Sequence, residues 1–478
     1  MTLVQRRLLG LVATLGVAAA AGAVVWWQGR ALEASVGDDA ARARVLRLTD
    51  AKAVRRVELT TPAGSFTLVR EGTAQGASAW TLEKPLHTAA DASAVDGLLG
   101  ELVELKRTST LGDKDEKIVA DKALFGLAPA RFTVTLSTGE GAGETLLAGK
   151  KNSFDGSLYV QRQGDKAVLL VPGALEYRLD EDLFKLRDKR VLAFDAPDVL
   201  GLDVTVDGKP AYALERAGND DWKLTSPRAV AADGVAVQGL LSALSSASAT
   251  RFVTEQGTAV ELAKVGLARP KAAVTLRLRQ GAPRTALFSE VTEAGVKKYY
   301  ATPGGGPSPV VELSSNWVLD KVAVDPDTLR DKRTLPFARD DVATLTVQGG
   351  DKTLAFARQT VDGAEHWSLT APEKAKAQDA TLAGLLYRLW NLKAKRIVSE
   401  KVAPAELAKL GLDRPALRVT LAKGDGAALG TLRFGKVEGD DQYAMAEGST
   451  RVDLVDAAVA RDIPLDPANY KEEASAKK

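Results

Sequence analysis

The charged residues that could carry out chemistry are concentrated in a five-residue motif, Leu-Arg-Asp-Lys-Arg, which occurs twice. Its guanidinium groups could bind a phosphate or an anionic glycan, because arginine donates paired hydrogen bonds to such groups. A short charged run that pairs with itself through its aspartate is more typical of a connector between a helix and an edge strand. The candidate interaction surface comprises Arg187, Asp188, Lys189 and Arg190 in one motif and Arg330, Asp331, Lys332 and Arg333 in the other.

Tryptophan is the second residue type with a possible binding role, and it recurs in the pattern Trp-x-Leu-x-x-Pro. An exposed indole can stack on a sugar ring, whereas a buried one fills a large volume between a sheet and a helix. We interpret the three tryptophans of this pattern as core anchors between a sheet and a helix rather than as a sugar-stacking platform. The three patterns place their first and last residues at Trp80 and Pro85, Trp222 and Pro227, and Trp367 and Pro372.

The remaining candidate groups do not form a recognisable catalytic set. His87 and His366 stand alone, without the spacing of a metal site or a catalytic triad. The repeated carboxylates Asp91, Asp233 and Asp379 each precede a segment with helical periodicity, so we interpret them as helix N-caps. The sequence therefore predicts no catalytic, cofactor or metal site, and a protein that is not an enzyme.

Composition narrows the class of partner. The chain has 478 residues, with 64 lysines and arginines against 62 acidic residues and a net charge of +2. Nucleic-acid binding needs a concentrated basic surface, so it is disfavoured. The absence of cysteine excludes disulfides and thiolate metal sites.

The N-terminus predicts membrane attachment. Arg6 and Arg7 precede an uncharged apolar segment over residues 8–27, long enough to cross a bilayer as a helix and ending in two tryptophans. The charge distribution predicts a single-pass anchor (1–30) with the N-terminus cytoplasmic, a linker over 31–43 and the rest of the chain exported. A cleaved secretory signal is the alternative, because small residues lie at Ala18 to Ala21.

The rest of the chain is one unit of about 143 residues repeated three times, because three landmarks recur in the same order. The tryptophans are 142 and 145 residues apart, and a Gly-Leu-Leu segment follows each, beginning at Gly97, Gly239 and Gly384. A Gly-Leu turn comes next, as in FGLAP, VGLARP and LGLDRP. We predict repeat units over 44–190, 191–333 and 334–478, of which the last lacks the charged motif.

Periodicity predicts the fold class of each unit. Alternating segments such as RRVELTT, FTLVR and RFTVTLS are typical of half-buried strands, and Gly-Leu-Leu-x-x-Leu gives a helix one apolar face. The glycine beside those leucines would let the helix approach the sheet closely. The prediction is an α+β fold: three tandem repeats, each a mainly antiparallel β-sheet with one or two packed helices, behind one transmembrane helix.

This order of motifs behind a membrane segment resembles the bacterial domain of unknown function 4340, over nearly all of the chain after about residue 44. The resemblance implies no known activity or site residues. It implies an association with ABC-type transport components resembling those of the gliding-motility system. We therefore expect a scaffold or accessory protein that is anchored in the bacterial inner membrane, has its bulk in the periplasm and binds a protein partner. The sequence points to no particular small-molecule ligand. The alternatives are a cell-wall or polysaccharide binding protein and an unrecognised hydrolase.

Overall fold

The structure is a computed structural model. It describes residues 43–71, 79–111, 116–139, 143–218, 221–304, 307–361 and 363–472. The predicted anchor over residues 8–27 lies outside these ranges. Among the described residues, no helix has the length and apolar character needed to cross a membrane.

The described residues form two compact units. One runs up to Asp195 and adds Leu244–Lys271 and Thr285–Val318; the other comprises Ala196–Ala243, Ala272–Arg284 and the chain from Leu319 onward. The predicted bounds of the three repeat units stay a prediction. We use "copy" below for each of the three repeats of the sequence pattern.

The first copy is a nine-stranded antiparallel sheet with one long helix and short helical segments. Its strands lie in the order β4-β3-β2-β1-β6-β7-β8-β9-β5. The strands are β1 (Arg56–Thr61), β2 (Gly64–Glu71), β3 (Ala79–Lys84), β4 (Thr88–Ala89), β5 (Ser109–Leu111), β6 (Phe132–Ser137), β7 (Glu144–Lys151), β8 (Leu158–Arg162) and β9 (Val168–Val171). The helices are α1 (Ala92–Glu104), α2 (Leu175–Leu179) and α3 (Leu183–Leu186).

The second copy repeats this strand order, as β13-β12-β11-β10-β15-β16-β17-β18-β14. Its strands are β10 (Val199–Val206), β11 (Lys209–Arg216), β12 (Trp222–Ser226), β13 (Val230–Ala231), β14 (Ala249–Thr254), β15 (Ala272–Leu278), β16 (Arg284–Glu293), β17 (Val296–Pro303) and β18 (Val310–Leu313). Its helices are α4 (Gly234–Ser246), α5 (Ala259–Lys264) and α6 (Trp317–Val322).

The third copy has the order β22-β21-β20-β19-β24-β25-β26-β27-β23. Its strands are β19 (Thr344–Gly349), β20 (Lys352–Val361), β21 (Ala364–Ala371), β22 (Ala375–Lys376), β23 (Arg396–Ser399), β24 (Leu417–Ala422), β25 (Ala428–Glu438), β26 (Asp441–Ala446) and β27 (Val452–Asp456). Its helices are α7 (Asp379–Trp390), α8 (Pro404–Leu410) and α9 (Ala458–Arg461). Short 3-10 helices span Ala51–Ala53, Glu116–Val119, Lys122–Phe125, Ala196–Asp198, Pro326–Thr328, Arg339–Asp341 and Pro467–Tyr470.

Alternation in the sequence produces the central strands. In β6, Phe132, Val134 and Leu136 are buried while the residues between them are half-buried, because successive side chains of a strand point to opposite faces. Leu59 of β1 lies opposite Val134 on one side and opposite Phe66 of β2 on the other. Each copy is therefore mostly β, with fewer helical residues than the predicted α+β class suggests.

The predicted long helix is present in every copy and buries its leucines. In α1, Leu98, Leu99 and Leu102 are buried, and α4 and α7 bury their equivalent leucines. The predicted role of the adjacent glycine is wrong. A Cβ added at Gly97, Gly239 or Gly384 would meet no atom within 4 Å, so these glycines permit no close approach to the sheet.

A second, smaller core lies on the other face of each sheet. In β8, Val160 belongs to the main core beneath α1, whereas its neighbour Tyr159 packs with Val119, Leu127 and Val168. Neighbouring residues of a strand face opposite sides, so the two clusters are separated by the sheet. The Gly-Leu turn that follows the helix therefore covers a second apolar face.

The glycine of that turn is needed for its backbone conformation. Gly126, Gly266 and Gly411 have φ values of 68°, 74° and 71°, in the left-handed region that glycine adopts without steric cost. The neighbouring strand also approaches closely, since a Cβ at Gly149 would lie 2.0 Å from the carbonyl oxygen of Phe125. The turn glycine is therefore required in all three copies, whereas the second copy has Ser289 at the place of Gly149 and bonds its hydroxyl to the Val265 carbonyl oxygen.

Candidate interaction site at the two charged junctions

The first charged motif is hydrogen-bonded to two consecutive copies. The Asp188 amide donates to the carbonyl oxygen of Ala89, the last residue of β4 in the first copy, at 2.9 Å. One residue further on, the Lys189 carbonyl oxygen accepts from the Ala249 amide of β14, in the second copy, at 2.8 Å. The motif therefore joins the edge of one copy to the next through its backbone.

Most side chains of this first junction bond to other residues of the same junction. Arg187 is only 3% exposed, donates to Glu255 Oε1 at 2.8 Å, and places its guanidinium carbon 3.3 Å from the ring centroid of Phe252. Asp188 accepts from the Arg190 guanidinium at 2.6 to 3.0 Å, which is the predicted self-pairing. This hydrogen bonding raises the pKa of Arg190.

The second junction repeats the backbone arrangement. The Asp331 amide donates to the Ala231 carbonyl oxygen at 2.9 Å, and the Ala394 amide donates to the Lys332 carbonyl oxygen at 2.8 Å. Asp331 again pairs with the second arginine of its motif, Arg333, at 2.6 Å. The predicted connector is therefore present at both places.

Arg330 takes the place of Arg187 at this junction. It is 4% exposed and donates through both terminal nitrogens to Glu400, with Nη2 to Oε2 at 2.9 Å. The Arg330 guanidinium lowers the pKa of Glu400 through this hydrogen bond, against the opposing effect of partial burial.

The two junctions differ in how polar their surroundings are. At the second, Arg451 donates to both carboxylate oxygens of Asp453 at 2.7 and 2.8 Å and also reaches the carbonyl oxygens of residues 331 to 333. Asp453 lies opposite Ile397 in the β23–β27 ladder, and Val311 lies opposite Phe252 at the same place in β14–β18. A cavity of about 300 Å³ adjoins the second junction, lined partly by Arg330, Arg451 and Asp453.

The third copy closes the same edge without the charged motif. The Gln378 amide donates to the Tyr470 carbonyl oxygen at 2.7 Å, and Ala377 forms a bridge with Lys471. Tyr470 is buried and packs its ring 4.9 Å from that of Phe356. The segment around IPLDPANY therefore takes the position that the Leu-Arg-Asp residues hold in the earlier copies.

Fewer side chains of the charged motifs are accessible to a partner than their sequence suggests. Arg187, Arg330 and Asp331 are buried, and Lys189 contacts Asp91 at 3.3 Å. Arg190, with a side chain 52% exposed, is the most accessible of the predicted residues. Whether a partner binds there stays a prediction.

The tryptophans have the predicted structural role. Trp80, Trp222 and Trp367 are at most 7% exposed, and the strand that carries each ends at the residue before the proline of its pattern. The peptide bonds preceding Pro85, Pro227 and Pro372 are cis.

The predicted N-caps are confirmed in two copies and wrong in the third. Asp91 accepts from the Ala94 amide at 3.1 Å, and Asp233 accepts from the Val235 amide at 3.0 Å. Asp379 is instead the first residue of α7, with Gln378 at the cap position, because the proline-to-aspartate spacing is one residue longer there.

Asp379 is paired with one of the two histidines, His366. Asp379 accepts from the Trp367 amide at 2.7 Å and lies 2.7 Å from His366 Nδ1. His366 is about half exposed, and His87 is far along the chain from it. Within the described ranges, no three His, Asp or Glu side chains are grouped as a metal ion would require.

Sequence reasoning missed the carboxylates that pair with the buried arginines. Glu255 and Glu400 each end the pattern Arg-x-Val-Thr/Ser-Glu, which occurs in RFVTE at Arg251 and RIVSE at Arg396. The signal was therefore present as a further repeat landmark, in the two copies that follow a charged motif. Arg451 and Asp453 have no counterpart in the other copies, so repetition could not reveal them.

The fold and these junctions define a tandem-repeat β protein whose copies are joined in series. Three consecutive segments, residues 80–221, 222–365 and 367–477, match the model of a domain of unknown function (DUF4340). The chain belongs to this family, as its motifs predicted. A search of curated proteins finds no match to the chain.

Proposed function

We propose that this protein is a membrane-anchored, extracytoplasmic scaffold that binds partner proteins, as an accessory to an ABC-type transport or gliding-motility-like complex. The observation that supports this proposal is the use of the charged motifs. Arg187 and Arg330 are buried at the junctions and bind a glutamate of the following copy. A chain that uses its repeated charges to join successive sheets is built to present several similar surfaces.

The anchor completes the proposed arrangement. Residues 8–27 would form one transmembrane helix in the inner membrane, with the N-terminus cytoplasmic and the three sheets periplasmic. The proposed role is non-enzymatic. Function would then lie on the exposed surfaces of the sheets and helices rather than in a cleft.

Photo-crosslinking in intact cells tests this proposal. A photoreactive phenylalanine analogue placed at Val235 or Tyr387, which are 82% and 50% exposed, reports on proteins that approach α4 and α7. We expect crosslinked subunits of an ABC-type permease or ATPase complex. A matched sample in which a cleavable secretion signal replaces residues 1–30 should lose those products, because the released protein is not held at the membrane.

Recovery of envelope polymer without a membrane protein would instead support the wall-binding alternative. That alternative is weakened by the burial of Trp80, Trp222 and Trp367, since a buried indole cannot stack on a sugar. If neither position forms a crosslink to any partner in native membranes, the result would count against the scaffold proposal.

A further inference from the structure

The cavity beside the second junction combines charged and apolar residues in one lining. It has a volume of about 300 Å³, and all of its lining residues belong to one compact unit. Three arginines and two aspartates of the junction line it, together with the apolar residues Val230, Ala231, Pro336 and Ala446. This volume is at the lower end of the range of small-molecule sites, so the chemistry of the lining determines what the cavity could hold.

Three polar residues of this lining stand where another copy has apolar residues, and Thr334 is the first of them. The equivalent residues are Val45 in the first copy and Val191 in the second, because the amides of all three donate to a carbonyl oxygen just past the long helix of their copy, at 2.9 to 3.0 Å. The third copy therefore has a hydroxyl where both other copies have a methyl group.

Arg451 and Asp453 are the other two polar residues. Asp453 stands at the place of Val311 in the strand ladders. Arg451 stands at the place of Pro309, because the carbonyl oxygen before each accepts an amide hydrogen bond of 2.9 Å from the loop after β23 or β14. Burying polar groups costs free energy, so their replacement of apolar residues around one cavity indicates a role beyond the fold.

The Thr334 hydroxyl has no hydrogen-bond partner among the described residues. Thr334 is 8% exposed and lines the cavity. A buried hydroxyl without a partner costs free energy that valine would avoid. Within the same described ranges, Arg330 Nε also has no partner, but this is equally true of Arg187 Nε at the first junction. The unpartnered hydroxyl of Thr334 is therefore what distinguishes the cavity.

The hydrogen-bonding groups of the lining that remain available can act as donors. Both carboxylate oxygens of Asp453 accept from Arg451, and both of Asp331 accept from Arg333. The Ser449 hydroxyl accepts from the Arg451 amide at 3.0 Å, which leaves its own proton available. The carboxylates are thus already engaged, whereas two hydroxyls and one guanidinium nitrogen can donate to a ligand.

The charges around the cavity favour an anion as this ligand. Glu400, which pairs with Arg330, is shared with Arg228 at 3.5 Å. With the residues that line the cavity, four guanidinium groups are therefore set against three carboxylates, an excess of one positive charge. Attraction between charges is stronger where protein replaces part of the surrounding water.

We propose that this cavity binds a small organic acid. Its carboxylate would accept hydrogen bonds from Thr334 and Ser449 beside the guanidinium groups, and its aliphatic part would pack against Val230 and Pro336. The cavity would then select by both charge and apolar contact. This inference goes beyond the scaffold proposal and does not depend on it, because it requires neither membrane attachment nor a protein partner.

Saturation-transfer NMR on the purified full-length protein tests this inference, with propionate as the probe. We expect propionate to bind, and Thr334→Val to raise its dissociation constant by about tenfold, which corresponds to the loss of one hydrogen bond to a charged group. This variant should fold, because valine stands at the same place in the other copies. Val191→Thr is the matched control: it adds the same hydroxyl at the first junction and should leave the dissociation constant unchanged.

Inorganic phosphate, an oxyanion without an aliphatic part, tests the class of ligand. We expect phosphate to displace propionate only at severalfold higher concentration, and displacement at equal concentration would overturn the assignment to an organic acid. The site itself is overturned if propionate receives no saturation transfer, or if Thr334→Val leaves its dissociation constant unchanged. A lower urea midpoint for Thr334→Val without propionate would show that the hydroxyl is bonded within the fold, which also overturns the proposal.

Discussion

Removal of Arg451 should be among the most damaging single changes at the junctions. Asp453 is 1% exposed and accepts from Arg451 at both carboxylate oxygens. In Arg451→Met, this carboxylate would stay buried without its cation, and the loss of one partner of a buried ion pair costs about 3–5 kcal/mol. The same methionine at Arg330 should cost less, about 1.5–3 kcal/mol, because Glu400 is 40% exposed and can regain water.

The double variant Arg451→Met/Asp453→Val separates charge from packing. It places valine where the second copy has Val311, and a well-packed apolar replacement of a buried ion pair is often neutral or stabilising. We therefore expect the double variant to recover most of the stability that the single variant loses.

Urea unfolding at neutral pH measures these free energies, and hydrogen exchange of β23 and β27 assigns the loss to the second junction. A loss below about 1 kcal/mol for Arg451→Met, or a double variant no more stable than the single one, would show that Arg451 does not compensate the buried charge of Asp453.

Three further predictions concern glycine, pH and the end of the chain. Gly97→Ala should stabilise the first copy by about 0.5–1 kcal/mol, because the added Cβ would lie in open space on a helix. Gly126→Ala should destabilise the first copy by at least about 1 kcal/mol, because the φ of Gly126 is 68°. Urea unfolding measures both changes in free energy, and two changes of the same sign would contradict this contrast. Glu400 has a lowered folded-state pKa, so the stability from its pairing with Arg330 is complete above the ordinary value of 4.5 and is lost as the pH falls below it. The free energy of unfolding, measured from about pH 3 to about pH 7, should therefore change less with pH in Glu400→Gln than in the natural protein. Tyr470→Ala should cost about 3–5 kcal/mol and speed hydrogen exchange in the adjoining edge of the third copy; unchanged exchange there would show that the C-terminal segment does not hold that edge.

Much of the fold could be predicted because it depends on local pattern. Alternating residues identified the central strands, and the leucines after Gly97 identified α1, since a strand and a helix place their apolar residues at different periods. Trp80 was correctly interpreted as a core residue. The two-residue strand β4 and the three-residue strand β5 were not predicted, because strands of this length carry no readable alternation.

The candidate site was only partly predictable. The pairing of Asp188 with Arg190 acts over two residues, so the motif itself indicated it. The glutamates that pair with Arg187 and Arg330 lie 68 and 70 residues further along the chain, and the charged motif itself does not indicate which residues they are. The cap at Asp379 was mispredicted, because one extra residue after Pro372 moves the carboxylate into the helix.

The sequence by itself determined the threefold repeat, the strand periodicity, the single apolar helix face and the family, because each is recorded in the order and spacing of residues along the chain. Only the tertiary structure decided which charges are buried, which glycines are required and which apolar side chains remain outside. Arg187 is charged yet buried, Gly97 is repeated yet meets no neighbour, and Phe154 is aromatic yet exposed. Burial and steric contact depend on atoms supplied by distant segments, and these come together only when the chain has folded.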